Sequence, residues 1–221
     1  MLKAVLFDLD NTLLDFWKMK RKASDSAAQA MIKAGLKLPK KKTQEELFHK
    51  YVKNIEGERV FQKFLREKQQ YSEKILAAGI NAYLKTKQQY LKTYPEVKPT
   101  LTKLKRRRLK LVLITNAPKL KAYQRLDAVE LTDVFDLIIT EAQKPAKRGY
   151  LEALRQLKLK PEEILVVGDS PKLDLHRAKM MGMKTCLADY GYIHYPHKRF
   201  IKPDYKIGKI EELVKVFRKS Y

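Results

Sequence analysis

Two aspartates stand two residues apart at the end of an apolar run. Val5 to Leu14 reads VLFDLDNTLL, so Asp8 and Asp10 flank Leu9 and are followed by Asn11 and Thr12. Val5, Leu6 and Phe7 have the character of a buried strand, where charge is costly. Asp and Asn favour turns and helix caps, but a cap accounts for one carboxylate, not for two straddling a leucine at a strand end. At such a place Asp8 can serve as a nucleophile or a metal ligand, and Asp10 as a general acid/base or a second ligand.

Three further segments carry polar residues after apolar runs. LVLIT ends in Thr115 and Asn116, ahead of Ala117 and Pro118. A hydroxyl and an amide there can bind a phosphoryl oxygen beside the N–H groups of a helix start, or can simply cap that helix. TEAQKPAKRGY contains Lys144 before Pro145, a lysine able to offset phosphate and aspartate charge together. ILVVGDSPKLDL presents Asp169 after Gly168, with Asp174 five residues on. Ser170 or Asp169 can cap the next helix, but a matched set of carboxylates with Asp8 and Asp10 suits a hard cation such as Mg²⁺.

These residues need elements to aim them. Strands are expected at 3–8, 110–115, 137–140, 164–168 and 185–188, with a short one at 205–207. Helical stretches between them predict an α/β, Rossmann-like parallel sheet. In such a sheet ligands bind beyond the carboxyl ends of the strands, where all four segments fall. From 16 to 94 the pattern changes. Strand runs disappear, and apolar residues recur at helical spacing: Ala27, Ala30, Met31, Ala34 and Leu38; Val60, Phe61, Phe64 and Leu65; Ile75, Ile80, Tyr83 and Leu84. With Gly35, Pro39, Gly57 and Gly79 as punctuation, this predicts about four helices. The domain reading is therefore a core of 1–15 and 95–221, interrupted by an all-helical domain at 16–94.

Composition narrows the class of protein. The chain has 221 residues, 44% of them hydrophobic, enough for a sizeable core and a smaller companion. It contains no apolar stretch of membrane-spanning length. It opens on a strand-like segment rather than a signal-peptide pattern, and its single Cys186 suits a reducing compartment. A cytoplasmic protein is the expectation. Lys and Arg number 48 against 25 Asp and Glu, a net charge of +23 that attracts anions. The basic residues spread along the chain without the aromatic interleaving of a nucleic-acid binder, so a nucleic-acid partner is disfavoured. His176, His194 and His197 lack metal-ligand spacing, and MGMKT and Tyr190–His197 read as packing and surface loop.

Taken together, VLFDLDNT, VLITN, Lys144-Pro145 and VVGDSPKLD resemble, in order, the four motifs of the haloacid dehalogenase-like hydrolase superfamily. The resemblance covers nearly the whole chain. The helical insertion directly after the first motif is similar to the cap domain of subfamily I, and DLDNTLL with MGMKT to its small-molecule phosphatases. The resemblance implies a Mg²⁺-dependent phosphatase. Asp8 would form an aspartyl-phosphate, and Asp10 would protonate the leaving alcohol and then activate water. Thr12, Thr115, Asn116 and Lys144 would hold the phosphoryl group. Mg²⁺ would sit on Asp8, the backbone carbonyl of Asp10 and Asp169, with Asp174 shaping the site from behind them. The family's lysine loop often reads Lys-Pro-x-Pro, where this chain has Lys144-Pro145-Ala146-Lys147, and Lys144 is the better placed of the two lysines. Asn11 stands where the family often has Gly.

Relatives that cleave carbon–halogen bonds lack the second aspartate, since no alkoxide needs a proton, so Asp10 disfavours a dehalogenase. Phosphonatases also depart from the paired aspartates. A phosphomutase remains compatible with both, as does a phosphatase for nucleotides or nucleic-acid ends. A nucleic-acid-binding protein on this fold is a different class, separable by a salt-dependent gel shift. Phe16, Trp17, Lys20 and Arg59 are candidates for bordering the substrate pocket. The sequence leaves the substrate and the oligomeric state open.

Overall fold

A computed structural model of the protein describes residues 1–53, 57, 59–191 and 201–217. His194 and His197 lie outside the described residues. The chain divides into two compact units, one made of Met1–Asp15 and Thr93–Tyr221 and the other of Phe16–Lys92.

The first unit is built on a six-stranded sheet: β1 (Ala4–Phe7), β2 (Lys110–Ile114), β3 (Leu137–Ile139), β4 (Ile164–Gly168), β5 (Lys184–Ala188) and β6 (Tyr205–Ile207). Every pairing is parallel and the order is β3-β2-β1-β4-β5-β6. The expected α/β Rossmann-like class is the one observed. Strand order reverses at β1, which pairs with β2 on one side and β4 on the other, with Phe7 level with both Leu113 and Val167. That is the switch point at which a parallel sheet opens a crevice.

Why these strands are apolar throughout follows from the layers. Ala4, Leu6, Val112, Ile114, Ile164 and Val166 belong to one buried cluster with Tyr150, Ala153, Leu175 and Ala178. The alternate residues Val5, Phe7, Leu111, Leu113, Leu165 and Val167 are equally buried. Both faces are covered, so neither can be polar.

The second unit holds α1 (Phe16–Lys33), α2 (Lys40–Lys53), α3 (Val60–Glu67) and α4 (Glu73–Tyr90). α1 packs against α4 and α2, around Ala27, Met31, Leu47, Phe64, Leu65, Ile75 and Tyr83. Two expectations are corrected here. Leu84 is not on the apolar face but 54% exposed; the buried row on α4 is Ile75, Leu76, Gly79 and Tyr83. Gly79 does not punctuate the segment but lies inside α4. A Cβ there would overlap the Met31 side chain, so glycine lets α4 approach α1 closely despite its cost to the helix. Within this unit Phe16 is buried, Trp17 meets Phe48 and Phe16 edge-on, and Arg59 is exposed. The buried Lys20 sets its ammonium 4.4 Å from the Tyr51 ring and 5.3 Å from that of Phe16, a cation–π arrangement.

The remaining helices belong to the first unit: α5 (Val97–Arg106), α6 (Lys119–Ala128), α7 (Arg148–Leu157), α8 (His176–Met180) and α9 (Leu213–Val216). No helix among the described residues is long and apolar enough to cross a membrane.

Candidate active site

The segment after β1 closes on itself. Leu13 and Leu14 donate backbone hydrogen bonds to the Leu9 carbonyl, and Asn11 donates to that of Leu14. Leu9, Leu13 and Leu14 are fully buried and anchor the turn that carries Asp10, directly after Asp8. The turn needs a left-handed residue at Asn11, whose φ is +64°. Asn tolerates that region far better than most other non-glycine residues.

Lys144 is the centre of the charge arrangement. Only 6% exposed, it donates from Nζ to Asp8 Oδ1 at 2.5 Å and to Asp174 Oδ1 at 2.6 Å. Its backbone is fixed on both sides by Asn116, whose Oδ1 accepts from the Lys144 N–H at 2.7 Å and whose amide donates to the Lys144 carbonyl at 3.0 Å. Arg177 adds a bond to the Pro145 carbonyl at 3.0 Å. Lys147, by contrast, is exposed ahead of α7.

After β4 a π-helical turn, Pro171–Leu175, precedes α8. Ser170 caps it by accepting from the Leu173 N–H, and the Ser170 N–H donates to Asp174 Oδ2 at 2.9 Å. Tyr150 donates to the Asp174 carbonyl at 2.7 Å. A Cβ on Gly168 would sit 2.5 Å from the Asp174 carboxyl carbon, so this glycine is what lets Asp174 fold back over the strand end. Gly168→Ala is expected to push Asp174 off Lys144 and to cost roughly 1–3 kcal/mol, read as a lower urea midpoint; an unchanged midpoint would contradict the close fit.

Asp8, Asp169 and Asp174 each offer a ligand oxygen within 4.8 Å of the others. Burial pushes Asp8 up to about 7, with Asp174 adding to the rise and Lys144 opposing it. Burial, with Asp174 and Asp8, raises Asp169 well above the usual carboxylate range. Burial alone would lower the Lys144 pKa, but the neighbouring Asp174 and Asp8 charges raise it. The ammonium therefore stays charged, bridging two of the three gathered carboxylates. The donor set fits a hard divalent cation, which would replace the protons that burial otherwise forces onto the oxygens.

The other expected residues fall at the same sheet edge with different partners. Thr115 is buried and its hydroxyl accepts from the Ala117 N–H. Asn116 spends its amide on Lys144. Thr12, expected on phosphate, is fully buried with its hydroxyl 3.5 Å from Asp169 and its carbonyl accepting from Tyr190 at 2.7 Å. Asp174 contacts Lys144 directly. Asp10 takes a partner the sequence reading missed, Arg125 of α6, whose Nη1 lies 2.5 Å from Asp10 Oδ2. The available signal was an arginine on the inward face of α6 between Ala122 and Leu126. Tyr150 and Arg177 left no signal of that kind.

The fold and this edge define a class, and the comparisons agree. The sequence pattern of the haloacid dehalogenase-like hydrolases matches residues 5–188. The chain belongs to that family. It is 34% identical over 230 residues to a glyceraldehyde 3-phosphate phosphatase of Methanopyrus kandleri, covering 99% of this chain and 98% of that one. It is 30% identical over 220 residues to a phosphoglycolate phosphatase of Aquifex aeolicus, covering 97% and 96%. A haloacid dehalogenase-like hydrolase from Xanthomonas campestris shares the fold with a TM-score of 0.71 at 18% identity, over 98% of this chain and 95% of that one.

Proposed function

We propose that the protein is a Mg²⁺-dependent phosphatase for a small phosphorylated metabolite, acting in the cytoplasm through an aspartyl-phosphate. The observation that carries this is the buried Lys144 bridging Asp8 and Asp174 at the switch point of the sheet, in a chain whose full-length relatives are phosphatases by name.

In this reading an Asp8 oxygen attacks phosphorus as the bond to the leaving oxygen breaks. Asp10 gives that oxygen its proton. Water then attacks the aspartyl-phosphate, loses a proton to Asp10, and frees phosphate and the Asp8 carboxylate. Lys144 and the backbone N–H groups after Thr115 offset the charge on the phosphoryl oxygens. Asp8, the Asp10 carbonyl and Asp169 would hold Mg²⁺, which supplies further charge neutralisation at those oxygens. Asp10 distinguishes this chemistry from carbon–halogen cleavage. Residues 16–92 would be the cap that selects substrate and excludes water.

The test is release of inorganic phosphate from glyceraldehyde 3-phosphate, phosphoglycolate and p-nitrophenyl phosphate. Turnover is expected with Mg²⁺, loss of it in EDTA, and recovery on adding Mg²⁺ back. No phosphate from any of them in excess Mg²⁺ would overturn the reading.

A further inference from the structure

Arginine is among the residues least often buried, and then nearly always paired. Arg125 is 5% exposed on the inward face of α6, in the row with Ala122 and Leu126. Its partner is a carboxyl that belongs to the chemistry: Nη1 is 2.5 Å from Oδ2 of Asp10, with the two side chains 6% and 20% exposed. A hydrophobic residue at this place would satisfy the helix. The arginine is explained by what it touches.

We infer that Arg125 is a positioning residue: its guanidinium holds Asp10 by Oδ2 and so fixes the orientation of the carboxyl that exchanges the proton with leaving group and water. This rests on the phosphatase reading of the site. A guanidinium keeps its protons at any working pH and can only donate. Oδ2 therefore remains an acceptor toward Arg125. A carboxyl otherwise has two oxygens that exchange by rotation about its last torsion. A charge-assisted bond to one of them holds the carboxyl plane in place. Because α6 starts directly after the β2 segment that carries Thr115 and Asn116, the same rigid turn and helix place the clamp and the groups at the neighbouring strand end.

The two chemical steps depend on that clamp unequally, which gives a test that a merely structural ion pair would not pass. Breaking the P–O bond to an alkyl leaving group needs a proton from Asp10. Breaking the bond to p-nitrophenol does not, because the nitrophenolate leaves unaided. The second step, attack of water on the aspartyl-phosphate, needs Asp10 to accept a proton whatever the substrate. Arg125→Ala is therefore expected to lower steady-state kcat on an alkyl phosphate by about 10²-fold, with KM changed by less than about threefold. With p-nitrophenyl phosphate in stopped flow, nitrophenolate should appear in a burst as aspartyl-phosphate accumulates. The ratio of burst rate to steady-state rate is expected to rise at least about tenfold over wild type.

Arg125→Lys keeps a cation near the same carboxyl and should return this ratio part of the way. It also supplies the measurement if the alanine variant fails to fold. A burst ratio equal to wild type in a folded variant, with both steps slowed together or only KM raised, overturns the inference. A wild-type enzyme that releases no nitrophenolate at all instead overturns the phosphatase reading, so the two failures are distinguishable.

Discussion

Asp8→Asn is expected to reduce phosphate release by roughly 10⁴-fold or more, since an amide cannot form the aspartyl-phosphate and the remaining groups cannot replace it. The same substitution carries a stability signature of the opposite sense. Asp8 has an ordinary value of 3.8 and is pushed up to about 7 in the fold. Between those pH values the folded protein retains a proton that the unfolded chain has lost, so this carboxyl's contribution to stability falls as pH rises from about 4 to about 7. Above that range the fold bears the whole cost of a buried, ionised carboxylate. Asn has no charge to bury. In EDTA at pH 8 the variant is expected to be more stable than wild type by roughly 1–3 kcal/mol, and the gap should close near pH 4. Mg²⁺ at pH 8 should stabilise the wild type more than the variant. Melting curves at the two pH values, with EDTA or Mg²⁺, check the stability side, and phosphate release checks the chemistry. A wild-type rate in Asp8→Asn would end the mechanism.

Lys144→Met is expected to lose activity and stability together. The methionine fills much of the same volume but leaves Asp8, Asp169 and Asp174 gathered without the ammonium that bridges Asp8 and Asp174. Removing one partner of a buried pair costs roughly 3–5 kcal/mol, measurable as a fall in urea midpoint in EDTA. Loss of an electrostatic contact to the transferring group is expected to lower kcat about 10²–10³-fold. Mg²⁺ should recover part of the stability, because it neutralises the same oxygens, without recovering the rate. Lys147→Met, at an exposed position, should change stability by less than about 0.5 kcal/mol and leave turnover alone. If Lys147→Met were the damaging substitution, the lysine in the site would have been misassigned.

The paired predictions rest on residues that differ in how far they could be read without coordinates. Apolar runs covered on both faces announce parallel strands, and the polar residue after each run marks the edge where ligands gather. Asp8, Asp10, Lys144 and Asp169 stand at such places, and chain order alone brings them into view. Local preference also explains Asn11, since few residues accept φ near +64°. Gly79 shows the limit of local reading. Glycine commonly breaks helices, and only the neighbouring Met31 side chain shows why one sits inside α4.

What the sequence by itself determined is the sheet, the order of its catalytic motifs and the kind of chemistry they support, because strand burial and motif residues are written in short segments. Partnership across the fold was decided by tertiary structure. Asn116 grips the Lys144 backbone from a different strand end. Asp174 bonds the Lys144 ammonium because Gly168 admits it and a π-helical turn delivers it. Arg125 joins Asp10 from 115 residues away. Hydrogen bonds of this range depend on where separate elements are packed, and no spacing along the chain records that distance.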